Sequence, residues 1–535
     1  MIKNRNQATT TAWQQYEAGK AYKRKIGLYE TVRRNERFYR GDQWAGVDNE
    51  LPKPVFNVIR RVVDYLICSV AAGTVSIAFS DENLPFLSQS DDATADIIRE
   101  GIEVLSRNVR YRWECCRMDR LTYRLLTDAA LSGDGVIYCY WDSDAESGQP
   151  YRGDIATELI DNTNLFVADV NRADIQSQAY VILAGRERVG ALREEARRYG
   201  ADERAIARIQ PDGEGMDAVG ELTAVELEGE QEAKTTYLIK FWREDGRVVF
   251  EKSTKDCIIR RQKTECTRYP IAYFNWYPTK GSFHGTSPVT GLIPNQKYIN
   301  RAYAMVMKHM TDTAFSKVIY DKSRIPEWSN RVGEAIAAVG AVNVSDAVSI
   351  IEPGQMQEGY LALIEQVIAT TKELMGATDT ALGNTSPNNT SAILALQDAA
   401  KIPLEQMRSG YYQCMEDLAN IWADMMCAYY PSDRLLPYRE EQGVTAAKVD
   451  FDLLRKTLLR ARVEVSTVTG YSSATVQSVL DRLLEGGHIT LSQYVARLPD
   501  GVMPERQELL DEIAAQNQYK QEEDHEEKLE EAAVE

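Results

Sequence analysis

Between Gly285 and Tyr430 the residue pattern changes in an order that few folds can use. The spacing predicts a helix from Pro288 to about Thr313, a compact α/β insert, and a second helix over Gln357–Thr378. A polar loop and a third, longer helix over Ser391–Tyr430 follow. The loop, 383–391, has no apolar side chain except Pro387. It cannot bury itself with its own side chains, so it is expected at the surface. Two long helices with such a loop between them suit a protein that offers a soft surface to something passing by. They suit a catalytic pocket less well.

At 535 residues the chain is too long for one ordinary core, so two to four domains are expected. The apolar fraction of 44% and the charged fraction of 27% are those of a soluble globular protein. No run of about 18 apolar residues occurs, and no membrane partner is expected. The most apolar window, Val62–Ala78, contains Asp64 and reads as a buried helix. The first residues, Met-Ile-Lys-Asn-Arg, carry no secretory apolar segment behind them. Eight cysteines show neither Cys-x-x-Cys nor Cys/His spacing for zinc, so reduced thiols and no metal are expected.

The formal charge of −18 argues against gripping nucleic acid by phosphate neutralisation, but not against a surface along which nucleic acid slides. The charge is uneven. Residues 1–61 hold thirteen Lys/Arg against six Asp/Glu, whereas 517–535 hold eight acids and two lysines. The basic start fits an interaction arm or an exposed helix face equally well, and the acidic end a solvated helix.

The fold class expected is α+β and mainly helical. Trp13–Tyr39 reads as one helix, and Asn57 is placed to cap another. Asp91–Arg107 and Trp113–Ser132 read as two more. Strands are predicted at 136–141, 159–168, 180–183, 235–242, 248–252, 257–261 and 271–276, with a helix over Arg186–Tyr199 and a hairpin turn at Asp245-Gly246. Pro211–Gly220 reads as a flexible link. Met407, Tyr411, Cys414, Leu418, Ile421 and Met425 recur by three and four along the third long helix, and Pro403 should break it. Val463–Val468 reads as a strand. Thr475–Glu485, Leu491–Arg497 and a segment from Pro504 read as short helices.

Enzyme signatures are missing: no Walker lysine loop, no Gly-x-Ser-x-Gly and no His-Glu-x-x-His. The four histidines are widely scattered, and no catalytic residue or cofactor is assigned. Lys297, Arg301 and Lys308 fall on one face of the first long helix, because each residue turns about 100°. Glu358 and Glu365, with Lys372 near them, form a stripe on the second. These rows are either solvated and intersubunit ion pairs or a surface facing a polyanion. Each exposed pair would contribute about 0–1 kcal/mol, enough to set register only. Asn384, Thr385, Ser386, Asn388, Asn389 and Thr390 supply amides and hydroxyls without a cation. They are an ordinary helix connection or a compliant ring against a nucleic-acid backbone.

Taken in order, four passages resemble the portal proteins of tailed bacteriophages. They are Phe38–Trp44 with Asn57–Asp64, Asn164–Asp169 with Asp174–Gln178, Tyr269–Ile271 with Gly285–Arg301, and Gly383–Gln397. Together they cover roughly residues 35–430. The resemblance implies a non-enzymatic ring, typically a dodecamer, at one capsid vertex of a virion assembled in the host cytoplasm. Double-stranded DNA would enter and leave through its channel. The terminase large subunit, which would hydrolyse ATP, and then a head-completion or adaptor protein would dock on it, beside major capsid and scaffold proteins. It also implies a division: 1–284 as wing, 285–313 and 356–379 as stem helices, and 314–355 as clip. Residues 380–394 would be the tunnel loop, 395–470 a kinked helix returning to the wing, and 471–535 the crown and acidic tail. Two other readings stay open on sequence alone. One is a nucleic-acid-processing enzyme with the polar loop as its lid, the other an unrelated helical scaffold or adaptor.

Overall fold

Long helices alternate with antiparallel sheets in the computed structural model, which describes residues 2–47, 51–72, 74–81, 92–212, 233–313, 317–329, 331, 333, 335–340, 343–351, 359–377, 402–440, 443–457, 459–466, 470–498, 509–510 and 513. Helices α1 (Ile2–Lys25) and α2 (Leu28–Arg40) were expected as one. Gly27, at φ 67, parts them and leaves Ile26 exposed. Helix α3 (Val58–Ala71) starts where the Asn57 side chain accepts from Arg60 N–H, as its sequence predicts.

The window Val62–Ala78 is not one helix. It leaves the helix at Ala71 and becomes β1 (Thr74–Asp81), with Ile77 and Phe79 buried on one side. The cause is tertiary, because β1 pairs antiparallel with the strand Leu459–Ser466 near the other end of the chain. Helices α4 (Asp92–Cys115) and α5 (Met118–Ser132) part at Arg117, in the left-handed region at φ 50, later than expected.

Strands β2 (Asp134–Glu146) and β3 (Arg152–Ile160) begin the sheets, followed by β4 (Leu165–Val167), β5 (Tyr180–Arg188) and helix α6 (Val189–Arg198). Then come β6 (Lys234–Glu244), β7 (Arg247–Ser253), β8 (Ile258–Lys263) and β9 (Ile271–Asn275). One sheet has the order β3-β2-β9, the other runs β4 to β8 in sequence order. The single strand expected over 159–168 is split by a tight turn, Asn162–Asn164, so that its halves join different sheets. Asp245 and Gly246, both at positive φ, make the predicted hairpin between β6 and β7.

Helix α7 (Pro288–Thr313) has the predicted bounds. A two-stranded ribbon, β10 (Lys317–Tyr320) and β11 (Val348–Ile351), separates it from α8 (Gly359–Leu374). A turn at Ile402–Leu404 holds Pro403, and α9 (Glu405–Tyr429) begins after it, as the missing proline N–H requires. All six apolar positions read from its spacing are buried. The hairpin β12 (Leu435–Glu440) and β13 (Gly443–Lys448) was not foreseen. Strand β14 (Leu459–Ser466), α10 (Gly470–Glu485) and α11 (Leu491–Arg497) complete the described chain. The folded core is α+β, and all eight cysteines are free thiols. Among the described residues no helix is long and apolar enough to cross a membrane.

A buried ionic knot fixes α9 to β3 and α4. Asp154 accepts from Arg112 Nη1 at 3.2 Å and from the Tyr430 hydroxyl at 2.5 Å, while Arg434 donates to Gly153 O at 2.8 Å. Burial works to raise the Asp154 carboxyl, but Arg112 and Tyr430 outweigh it and hold it below the usual range. Its ionised form therefore stabilises the fold above about pH 4, and that stabilisation is lost as pH falls through the lowered value. Asp154→Asn should cost about 2–3 kcal/mol at pH 7, less than a fully buried pair because the carboxylate is partly exposed. Urea unfolding at pH 7 and pH 3 checks this: the deficit of the variant should shrink at the lower pH.

Candidate functional site

The first turn of α7 is held by one buried carboxylate. Asp134 lies in the Gly133-Asp134-Gly135 turn that ends α5, and its side chain is fully enclosed. It accepts from His284 Nδ1 at 2.6 Å, Gly285 N–H at 2.7 Å, Asn275 Nδ2 at 2.9 Å and Asn162 Nδ2 at 3.0 Å. A buried carboxylate with no such partners would destabilise the fold by several kcal/mol, so four donors are what lets it stay there. The two backbones also touch. A Cβ on Gly133, at φ 96, would lie 2.6 Å from Gly285 O, and one on Gly285 would lie 2.7 Å from Gly133 O. Ser287 then donates to Ala130 O at 2.5 Å and accepts from Val289 N–H at 3.1 Å, so it starts α7 while joining it to α5.

Two turns further on, a chain of amides holds the same helix. Gln296 Oε1 accepts from Val58 N–H at 2.9 Å and Ile59 N–H at 3.2 Å, so α7 caps α3. Its Nε2 donates to Phe56 O at 2.7 Å and to Asn300 Oδ1 at 2.9 Å. Asn300 donates to Gln43 Oε1 at 2.6 Å, and Gln43 to Phe38 O at 3.0 Å. Gln43, Gln296 and Asn300 are buried, and in a buried chain each broken link leaves polar atoms with no water to replace it.

Below this root the helices lie bare. Of the sixteen residues of α8, Ile364 and Thr371 are the buried ones. Asn295 Nδ2 donates to Thr371 Oγ1 at 3.1 Å, which joins α7 to α8. Tyr360, Leu361, Leu363 and Leu374 on α8 are exposed, as are Tyr298, Met305 and Met310 on α7. Leu374 keeps 74% of its surface open. The ribbon beyond them exposes Ile319 and Ile350.

Lys297 and Arg301 are exposed on the bare flank of α7, with Lys297 Nζ 5.7 Å from the Phe38 ring centre and neither cation within 4 Å of a carboxylate among the described residues. Lys308 follows, 3.6 Å from Asp312. Glu365 is exposed on α8 and Lys372 half-buried. Glu358 and the loop residues Asn384, Thr385, Ser386, Asn388, Asn389 and Thr390 lie outside the described residues. Sequence reasoning gave no site role to Asp134, His284, Gln43, Gln296 or Asn300, although the last three lie in the passages that carry the resemblance. For Asp134 and His284 the signal was the glycines around them, which mark a place where two backbones meet.

Gln296→Leu should cost about 2–4 kcal/mol in urea unfolding, since it strands Ile59 N–H and Asn300 Oδ1 and leaves Val58 N–H and Phe56 O with only each other. Asn300→Ala, which leaves the α3 cap intact, should cost less than half as much.

Two of the four passages that suggested a family meet at this root. Gln43 and Asn57 come from the first and Gln296 and Asn300 from the third, while Val170 O, directly after the second's Asn164–Asp169, accepts from Phe283 N–H at 2.7 Å beside His284. Compared with known families, residues 192–534, more than half of the chain, match the model of the phage P22-like portal protein. The third and fourth passages lie inside that match, and the other two precede it. No curated protein matches the chain. The chain belongs to the family of phage P22-like portal proteins.

Proposed function

We propose that this chain is the subunit of a ring, typically a dodecamer, whose α7 and α8 helices line a channel for double-stranded DNA at one capsid vertex. Membership of the portal family carries the role in DNA packaging and head–tail connection. The single observation that supports the ring is α8, an apolar helix with two buried positions among the described residues. Such a helix needs a second surface, and the bare flank of α7 on a neighbouring copy has the complementary character. Contact between two different faces repeats head to tail and closes into a ring. Each leucine of α8 covered in this way would add roughly 1.5–3 kcal/mol, well beyond what an exposed ion pair supplies.

In that arrangement 285–313 and 356–379 form the stem and 314–355 the clip. Residues 1–284 and 395–470 form the wing, 380–394 the tunnel loop and 471–535 the crown. Lys297, Arg301 and Lys308 would face Glu358, Glu365 and Lys372 of the next copy and set its register. The clip would receive the terminase large subunit and afterwards a head-completion or adaptor protein, while major capsid and scaffold proteins would surround the wing. ATP hydrolysis belongs to the terminase in this reading. The net charge of −18 and the cation-free loop suit a channel that lets a duplex slide.

Negative-stain images of the purified protein should show rings with an axial opening wide enough for a duplex. Leu361→Asp combined with Leu363→Asp should give folded monomers in sedimentation, whereas rings unchanged by both substitutions would remove α8 from the interface. Replacing Asn384, Asn388 and Asn389 by Ala should leave rings intact and reduce packaged DNA severalfold. Normal packaging by that variant would remove the loop's assigned role.

A further inference from the structure

The N-terminal helix ends in a feature that its packing does not require. One stripe of α1, Ala12, Tyr16, Lys20 and Lys23, is buried against the sheet β4 to β8. Tyr16 meets Phe166 edge-on at 5.0 Å, and Gly19 lets the backbone approach so closely that a Cβ there would lie 2.7 Å from that ring. Lys23, 2% exposed, follows one turn later. Its ammonium donates to Asn162 O at 2.7 Å, Thr163 O at 3.0 Å and Leu165 O at 2.5 Å, and lies 4.0 Å from the Phe166 ring centre. Three carbonyls match the three hydrogens of an ammonium.

Burying a charge is costly, and here three carbonyls offset the cost; a long apolar residue would leave them without that donor. Burial pushes Lys23 down to about 7, with Asp161 and Asp134 pulling it back. What the ammonium adds is a definite place: it is either seated in the cage or not. Four residues on, Gly27 at φ 67 separates α1 from α2.

The cage is also the far side of the Asp134 site. Asn162, whose carbonyl holds Lys23, donates from its side chain to Asp134 Oδ2 at 3.0 Å and to Ser132 O at 3.4 Å. The same Asp134 oxygen meets His284 Nδ1, and its other oxygen meets Gly285 N–H, three residues before α7 begins. The turn's own bonds are local, Thr163 N–H to Asp161 Oδ1 at 3.0 Å and Asn164 N–H to Asp161 O at 2.9 Å, and Lys23 adds the tie to α1.

We infer that α1 is a latch whose seating, through Lys23, the 162–165 turn and Asn162, orders the Asp134 site and so sets how firmly the root of α7 is held. Whatever engages or displaces the N-terminal helix would then change the root of α7 without touching it. The relay stands on contacts within one chain and does not depend on ring formation.

Hydrogen exchange of the full chain, followed by mass spectrometry, tests it. Lys23→Met should raise exchange at least tenfold over residues 12–25 and also over 284–292, with 405–429 unchanged. Asn162→Ala, which keeps the carbonyl cage, should loosen 284–292 and leave 12–25 protected. In the double variant 284–292 should be no looser than in Asn162→Ala alone. The latch is overturned if Lys23→Met leaves 284–292 unchanged, if the two effects add, or if 405–429 loosens equally. Should Lys23→Met not fold, Lys23→Gln, which keeps a donor, is read by the same criteria.

Discussion

A single carboxylate with four donors decides how the two parts of this chain are joined. Asp134 gathers the end of α5, the turn before β4, strand β9 and the residues that lead into α7. Each of its partners is itself fixed by backbone structure, so the site holds an angle as well as a distance. The chain from Gln296 to Gln43 holds the third and fourth turns of the same helix. The upper part of α7 is therefore attached at several points along its length, Thr290 to Asn35 of α2 among them. Polar contacts are selective here in a way apolar packing is not, since a misplaced amide or carboxylate in a dry interior loses its partners all at once.

The opposite holds for the lower half of α7 and for α8, where apolar side chains stand in the open and, among the described residues, hydrogen bonds to other elements are few. A helix anchored at one end and bare at the other suits a subunit whose shape is fixed before assembly and whose remaining burial comes from its neighbours. Strong anchoring at the root means that the energy of association need not be spent on ordering the helix. The portal family supplies the setting in which such a division makes sense.

Much of the helical framework was legible from the residues. Pro288 and the apolar spacing behind it set α7, Pro403 sits in the turn from which α9 starts, and the stripe from Met407 to Met425 is buried as its period requires. Errors fell where a left-handed residue or a distant partner intervened. Gly27 and Arg117 ended helices that apolar spacing alone would carry on or end elsewhere. Thr74–Asp81 is a strand because Leu459–Ser466 lies beside it, and nothing within the window Val62–Ala78 reveals that neighbour. The candidate site was read as rows of charge and a polar loop. The loop lies outside the described residues, and the cations stand on the bare flank beside a root that the charges do not hint at.

Local spacing, turn residues and composition determined the order of helices and strands, the family resemblance and the absence of a reason to expect catalysis. Those features depend on residues a few positions apart, and the sequence states them directly. Only the tertiary structure decided that Asp134, Asn162, Asn275 and His284 share one site, that Gln296 caps a helix far from it in sequence, and that α8 is buried at two positions among the described residues. Burial and hydrogen-bond partnership are properties of the whole packing, so no short window of residues can encode them.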